Sequence, residues 1–203
     1  MADKLVRLTL RDLSWAGGLL GKAFMDDPLL TYVIPDARRR ITRGPWFVRA
    51  SLSYGIRYGE AHAPPGREGV AFFLPPNQTT LTPARMFRAG MLAAPLRLGL
   101  SGFGRFMTMA DFTDKLHKQH APMPHYYLFG MGVDPSEQGK GVGSRLLAAV
   151  LRRSEGAGVP CYLETQNARN VPFYEKHGFR VVTDAELPGG GLRSWGMLHG
   201  LDS

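Results

Sequence analysis

A glycine-rich segment, Q-G-K-G-V-G-S at residues 138–144, points more directly to chemistry than any other part of the chain. It lies between a predicted strand and a predicted helix, and its glycines occupy alternate positions. Glycine permits open backbone dihedrals and lets a ligand approach the main chain closely. The first turn of the following helix offers unpaired N–H groups at the positive end of the helix dipole, which suits a pyrophosphate. Lys140 and Arg145 add positive charge at the rim. The segment therefore predicts a phosphate-binding turn.

The spacing of the glycines excludes two common classes of phosphate-binding loop. A dinucleotide-binding turn requires G-x-G-x-x-G, and a P-loop requires G-x-x-x-x-G-K followed by Ser or Thr. This chain has G-x-G-x-G, and Gly141 follows Lys140. A turn with a purely structural role is the alternative.

A second patterned segment, N-A-R-N-V-P-F-Y-E-K-H-G-F at residues 167–179, follows after a predicted helix and strand. Together the two segments resemble the GNAT superfamily of acyl-CoA-dependent N-acetyltransferases. In that family a Q/R-x-x-G-x-G/A turn precedes a segment N-x-x-x-x-x-x-Y-x-K-x-G-F. Gln138, Gly141 and Gly143 fill the first pattern, and the second fits position by position. The resemblance covers roughly residues 126–182.

Two shorter phrases indicate a branch of the superfamily. G-V-D-P at residues 132–135, and D-D-P at residues 26–28 with Pro35 and Asp36 after it, are similar to antibiotic-type members of the puromycin N-acetyltransferase kind. This similarity implies a small-molecule amine as the acceptor of the acetyl group. Acetylation of a protein N-terminus or lysine is one alternative, and a CoA-binding sensor without turnover is another.

The resemblance also implies acetyl-CoA as co-substrate, without a metal. Main-chain groups of Met131, Gly132 and Val133 would pair with the pantetheine arm like an added strand, which a splayed strand edge can offer. Asn170 or Asn167 would hydrogen-bond the arm. The amides of the glycine-rich turn would hold the pyrophosphate through Gln138, Gly139, Lys140, Gly141, Val142, Gly143 and Ser144.

Tyr174 falls where the family keeps its general acid, and the chemistry of a phenol supports that role independently. Attack of an amine on a thioester expels a thiolate, which a nearby phenol can protonate. The reference pKa of tyrosine, near 10, keeps the phenol protonated at neutral pH. Packing beside Phe173 and Phe179 on a short helix is the alternative role.

The general base must be inferred from position. An acceptor ammonium with a pKa of about 10 has to lose a proton before it attacks. Some family members use a glutamate on the strand before the glycine-rich turn, where this chain has Tyr127. Glu164, at the carboxyl end of the next strand and so near the expected crevice, is therefore the candidate base, and a structural role is the equal alternative.

Acceptor contacts are expected from the amino-terminal half of the chain and from Tyr127. Carboxylates at Asp26 and Asp27 could meet a cationic acceptor, although capping a loop is the alternative for at least one of them. The residues predicted to bind the acceptor are Asp26, Asp27, Tyr32 and Tyr127.

Hydrophobic periodicity and turn residues predict the elements that position these groups. Strands are predicted at 4–10, 70–74, 126–133, 159–164, 179–183 and 192–199. Helices are predicted at 11–25, 36–57, 84–119 (broken at Pro95 and 99–104), 144–156 and 169–177.

Strands and helices alternate in the second half, which predicts an α/β layered fold with parallel pairing in that half. The resemblance implies a single-domain GNAT-like fold: a central mixed, mostly antiparallel sheet with splayed strands, flanked by helices. We predict one domain over 1–203, with an acceptor-side half at 1–124 and an acetyl-CoA-binding half at 125–203. A helical insertion at 77–124 precedes the central strand.

Composition and charge narrow the classes of partner and the cellular location to be expected. The formal charge of +8 is spread thinly, with one run at residues 38–40, so no nucleic-acid partner is expected. One cysteine, no secretory leader and no long apolar run predict a cytoplasmic protein without a membrane partner. His117 and His120 lack companions for a metal site and are expected at a solvent-facing helix end. A homodimer is compatible with the sequence.

Overall fold

The computed structural model describes residues 5–200, which form one α/β domain built on a seven-stranded sheet. The strands are β1 (Val6–Arg7), β2 (Glu60–Ala63), β3 (Gly69–Leu74), β4 (Tyr126–Val133), β5 (Cys161–Thr165), β6 (Arg180–Glu186) and β7 (Arg193–His199). The helices are α1 (Leu13–Ala23), α2 (Pro28–Val33), α3 (Ala37–Tyr58), α4 (Pro83–Arg88), α5 (Ala94–His120), α6 (Val142–Gly156) and α7 (Val171–Lys176).

The sheet is mixed and mostly antiparallel, as predicted. Its strand order is β1-β2-β3-β4-β5-β7-β6, and only β4 and β5 run parallel. These two strands pair at Tyr126 with Cys161 and at Tyr127 with Tyr162. Beyond that point β4 continues to Val133 and β5 to Thr165 without pairing to each other. The predicted splay is therefore present, and it leaves a wedge-shaped opening in the middle of the sheet.

Helices cover both faces of the sheet. Side chains alternate along β3, so Val70, Phe72 and Leu74 pack toward α1, α3 and α5 on one face. Ala71 and Phe73 pack toward α6 on the other face. All six residues of β3 are buried, as expected for a strand with helices on both sides. We call these the α3/α5 face and the α6/α7 face.

Two short elements were missed in the sequence, α2 and β2. Asp27 accepts a hydrogen bond from the Leu29 amide at 3.0 Å, and Pro28 takes the first helical position. Proline at the first helical position favours the start of a helix, and no helix was predicted at these residues. The four residues of β2, E-A-H-A, have low strand propensity and are held by pairing with β1 and β3. Of the strand predicted at 4–10, only Val6–Arg7 is a strand, and residue 4 lies outside the described residues.

The predicted helical insertion is present as α4 and α5. Thr82 caps α4 through a 3.4 Å hydrogen bond from the Arg85 amide, and Pro83 begins the helix. Pro95 was predicted to break α5, but it lies in the first turn, where proline is tolerated. The other predicted break, at 99–104, is confirmed as a kink at Gly99, whose φ of 75° is left-handed. No helix among residues 5–200 is long and apolar enough to cross a membrane.

Candidate active site

The glycine-rich turn has the geometry expected of an anion site. Gly139 and Gly141 have φ of 77° and 80°, a left-handed conformation that side chains disfavour. A Cβ atom built on either one would meet no other atom within 4 Å, so the space in front of both glycines is open. Gly141 is the residue before α6, and no side chain caps the first turn of this helix. The helix amides are therefore available to a pyrophosphate.

The remaining residues of the turn hold it in shape. Gln138 donates from Nε2 to the Val133 carbonyl at 3.3 Å and so ties the turn to the end of β4. Lys140 is paired with Glu137 at 3.1 Å. The Ser144 hydroxyl is 3.0 Å from Nε2 of His177, which links α6 to α7. Gly143 lies inside α6, where a Cβ would make ordinary contact with Phe173 at 3.4 Å.

The carboxyl-terminal half of β4 lies along the opening between β4 and β5. Met131 and Val133 pack on the α6/α7 face, and Gly132 lies against α1 because a Cβ there would meet Leu20 at 2.7 Å. One edge of this segment pairs with β3, and the other has no partner strand. An extra residue, Phe129, interrupts the pairing with β3 as a β-bulge. Bulges of this kind are common beside active sites, where they redirect the backbone.

Tyr174, the predicted general acid, lies on the α6/α7 face. Its ring is buried, with edge contacts to Phe173 and Phe179. Burial raises the pKa of its hydroxyl, and the charges of Cys161 and Asp27 raise it further. The hydroxyl therefore stays protonated at neutral pH, as a proton donor requires.

Glu164, the predicted base, lies on the α3/α5 face, where only 4% of its side chain is exposed. Tyr127, the last β4 residue that pairs with β5, donates its hydroxyl proton to Glu164 Oε2 at 2.5 Å. Burial raises the pKa of Glu164 to about 7, although the hydrogen bond from Tyr127 partly opposes the shift. Glu164 and Tyr174 thus approach the opening from opposite faces.

The two asparagines predicted to contact the pantetheine arm have structural partners. Asn167 accepts a hydrogen bond from the Arg169 amide at 3.1 Å, and Asn170 donates to the Thr165 hydroxyl at 3.1 Å. Both lie in the segment that joins β5 to α7, beside the opening. Each amide group has a second polar atom that can form a further hydrogen bond.

Three of the residues predicted to bind the acceptor lie in or beside α2, whereas Tyr127 lies beside Glu164. Asp26 is exposed and its carboxylate lies 3.5 Å from the Arg40 guanidinium. Asp27 is half-buried as the cap of α2, and burial raises its pKa to about 6. Asp27 lies near enough to Tyr174 for its charge to act on the phenol. The Tyr32 ring faces the β6–β7 turn, because a Cβ on Gly191 would lie 3.6 Å from it.

Two histidines near Glu164 were not predicted as part of the site. His117 was expected at a solvent-facing helix end, but its side chain is only 12% exposed and lies 3.9 Å from Glu164 Oε1. Its Nε2 is 2.7 Å from Nε2 of His125, which is buried. The sequence offered one indication of their role: His117 and His125 both lie shortly before the central strand. Among residues 5–200, no group of three or more His, Cys, Asp or Glu side chains is placed to hold a metal.

Comparisons with known proteins bear on the family and the fold. The model of the GNAT acetyltransferase family matches residues 94–179. An uncharacterised N-acetyltransferase of Schizosaccharomyces pombe is 25% identical over 187 residues, which is 85% of this chain and 72% of that protein. A Corynebacterium glutamicum structure described as a histone acetyltransferase and related acetyltransferase superposes with a TM-score of 0.67 at 19% identity, covering 100% of this chain and 98% of that one.

A structure of an agmatine N-acetyltransferase variant superposes with a TM-score of 0.65 at 13% identity, covering 98% of this chain and all of that one. At these identities the structural likeness concerns the fold alone. The chain therefore has the GNAT fold, and its residues 94–179 match the model of the GNAT acetyltransferase family.

Proposed function

We propose that the protein transfers an acetyl group from acetyl-CoA to the amine of a small-molecule acceptor by direct attack. The observation that carries this proposal is the opening between β4 and β5. Tyr174 and the glycine-rich turn lie on its α6/α7 face, and Glu164 lies on its α3/α5 face. Two substrates entering from opposite faces would meet in the opening, so no acetyl-enzyme intermediate is required.

Acetyl-CoA fits the α6/α7 face on chemical grounds. The uncapped first turn of α6 and the open space before Gly139 and Gly141 suit the pyrophosphate. The free edge of β4 at Met131–Val133 suits the amides of the pantetheine arm. This orientation directs the thioester toward the opening and toward Tyr174.

The proposed reaction needs one base and one acid. Ionised Glu164 takes a proton from the acceptor ammonium, directly or through the Tyr127 hydroxyl, and the neutral amine attacks the thioester carbon. The C–N bond forms, the C–S bond breaks, and the departing thiolate takes the proton of Tyr174. The nitrogen then loses its second proton, which restores Tyr174, while Glu164 releases its proton to water. One proton is released in each turnover.

The burial of Glu164 and the negative charges near it favour a small cationic acceptor. Its carboxyl group is buried beneath α5, which leaves little room for a folded polypeptide surface. Asp27 and Asp114 place negative charge near Tyr174 and Glu164, although the whole chain has a formal charge of +8. Amines of antibiotic or polyamine type have the complementary charge.

The test is an acceptor screen that measures release of free CoA thiol. Purified protein and acetyl-CoA are mixed separately with aminonucleosides, aminoglycosides, polyamines, amino acids and peptides, and products are checked by mass. We expect saturable thiol release and a gain of one acetyl group with a small amine. Release with peptides alone would move the assignment to peptide acetylation. Acetyl-CoA binding without release in any arm would indicate a sensor.

A further inference from the structure

Four buried polar side chains form a line on the α3/α5 face, from the opening into the protein. Tyr127 donates to Glu164 Oε2 at 2.5 Å, and Glu164 Oε1 lies 3.9 Å from His117 Nδ1. His117 Nε2 lies 2.7 Å from His125 Nε2, and His125 Nδ1 lies 2.6 Å from the Met123 carbonyl. Glu164 Oε1 is buried and has no hydrogen-bond partner among the described residues.

The hydrogen bonds at the far end of the line decide which nitrogens carry protons. A carbonyl oxygen only accepts, so His125 Nδ1 must donate to Met123. A neutral His125 then has a bare Nε2, which can only accept, so His117 must donate from its own Nε2. In neutral His117 the nitrogen left bare is Nδ1, the one that faces Glu164.

The facing pair, Glu164 Oε1 and His117 Nδ1, therefore has two acceptors and no donor when Glu164 is ionised. One added proton between them resolves the conflict, and about 1 Å of side-chain movement brings the two atoms to hydrogen-bond distance. All the donors then point the same way, from Tyr127 to Glu164, to His117, to His125 and to Met123. The line becomes a continuous hydrogen-bonded chain.

We propose that Tyr127, Glu164, His117 and His125 titrate as one unit that shares a single proton between Glu164 and His117. In this unit His117 is a positioning residue that sets when Glu164 can accept the acceptor's proton. The catalytic part of this inference rests on the proposed function, whereas the shared proton does not.

The surroundings of the unit determine where that proton rests. Burial raises the pKa of Glu164 to about 7 and lowers that of His117 to about 4. Burial also lowers the pKa of His125. The neutral acid beside two neutral imidazoles is therefore the resting state below about pH 7. The other titratable or charged groups facing the unit are Asp114 and Lys118 from α5, and Tyr162 from β5, whose buried hydroxyl lies close enough to Glu164 to oppose the rise of its pKa.

The shared proton is tested by nuclear magnetic resonance of the free protein. Nitrogen-15 shifts of the imidazoles and the carbon-13 shift of the Glu164 carboxyl are followed from pH 5 to pH 9. We expect His117 as the Nε2–H tautomer, His125 as the Nδ1–H tautomer, and one common midpoint for His117 and Glu164. In Glu164→Gln the shift of His117 at that midpoint should vanish. An Nδ1–H tautomer at His117, or separate midpoints for the two residues, would overturn the proposal.

The positioning role is tested by the pH profile of kcat in two variants at one position. His117→Asn offers an amide N–H to Glu164, which favours the carboxylate, so the acidic limb should move to lower pH by about one unit. His117→Leu removes both the acceptor of the Glu164 proton and the lone pair that opposes the carboxylate, so the limb should also move to lower pH, by less than in His117→Asn. The KM for acetyl-CoA should not change, and His120→Asn on the same helix is the control.

These outcomes separate the inference from the proposed function. A limb that moves to higher pH in His117→Leu, or lower kcat with an unmoved limb in both variants, would reduce His117 to a structural residue. If no acceptor is acetylated at all, the proposed function fails while the resonance titration still decides the shared proton.

Discussion

The opening between β4 and β5 separates two polar groups whose environments suit opposite tasks. Tyr174 is buried among aromatic rings, which raises the pKa of its hydroxyl and keeps it protonated at neutral pH. Glu164 is also buried, and the same physical cause raises its pKa to about 7, the range in which a carboxylate is an effective base at neutral pH. Burial therefore keeps Tyr174 protonated and gives Glu164 a pKa near neutral pH.

Removal of the Tyr174 hydroxyl should slow the reaction without loosening acetyl-CoA. General acid catalysis is typically worth about 10²- to 10⁴-fold, and the lower end is expected because a thiolate is already a fair leaving group. Tyr174→Phe keeps the ring contacts with Phe173 and Phe179, so kcat should fall while the acetyl-CoA Kd stays constant. Steady-state kinetics and calorimetric titration measure the two quantities. Full kcat in this variant would leave water as the proton source.

At the scale of elements, the first turn of α6 and the left-handed glycine before it form the proposed pyrophosphate site. Gly141→Ala introduces a methyl group into the space before the helix and strains a φ of 80°. We expect acetyl-CoA to bind about ten- to a hundredfold more weakly, the usual value of one or two backbone hydrogen bonds to a charged group.

Gly158→Ala is the matched control for that experiment. Gly158 also has a left-handed φ, of 64°, and its Cβ position is also open, but it lies at the other end of α6. Both variants should lose similar stability, about 1–2 kcal/mol, from the strain of a left-handed alanine. Only Gly141→Ala should lose affinity for acetyl-CoA in a calorimetric titration. Equal affinities in the two variants would remove the turn from the binding site.

The insertion provides a second test at this scale, because the carboxyl-terminal part of α5 lies beside Glu164. Asp114 pairs with Lys118 at 2.6 Å. Its negative charge also raises the pKa values of Glu164, Tyr127 and His117. Asp114→Asn should raise the KM of a cationic acceptor by about threefold, which is the usual worth of one partly exposed charge. The KM for acetyl-CoA should not change.

One turn earlier on α5, Asp111 provides the control for that charge. It forms the same kind of ion pair, with Lys115 at 2.8 Å. Asp111→Asn should leave both KM values as they are in the wild-type enzyme. A similar rise of acceptor KM in the two variants would point to a diffuse effect of surface charge, and no rise in either would place the acceptor elsewhere.

Only part of the fold and of the candidate site could be predicted from the sequence. The glycine-rich turn, β4 and α6 were predictable because local patterns of glycine, apolar period and spacing encode them, whereas the role of Tyr174 was implied by the family resemblance. The prediction for His117 was wrong because its burial depends on tertiary contacts: the last turn of α5 packs against Tyr127 and against Tyr162, which is distant in sequence. The partners of Glu164 were hidden for the same reason, since its hydrogen bond to Tyr127 spans 37 residues.

At the scale of the whole molecule, Glu164 lowers the free energy of unfolding by an amount that depends on pH. In the unfolded chain a glutamate has a pKa near 4.5, whereas in the folded protein burial raises it to about 7. Between these values the folded state binds more protons than the unfolded state, so this residue's contribution to stability falls as pH rises. Above pH 7 the carboxylate is ionised in both states and the cost is constant.

Glutamine at position 164 has nearly the same shape and does not ionise, so it should remove that dependence. The free energy of unfolding of Glu164→Gln, relative to wild type, should rise by about 2–3 kcal/mol between pH 5 and pH 8, at about 1.4 kcal/mol for each pKa unit. Urea unfolding at several pH values measures the difference, in which the other titrating groups cancel. Glu155→Gln, at an exposed position on α6, should differ from wild type by a constant amount. If Glu164→Gln also differs by a constant amount, Glu164 titrates alike in both states and cannot be a base tuned by burial.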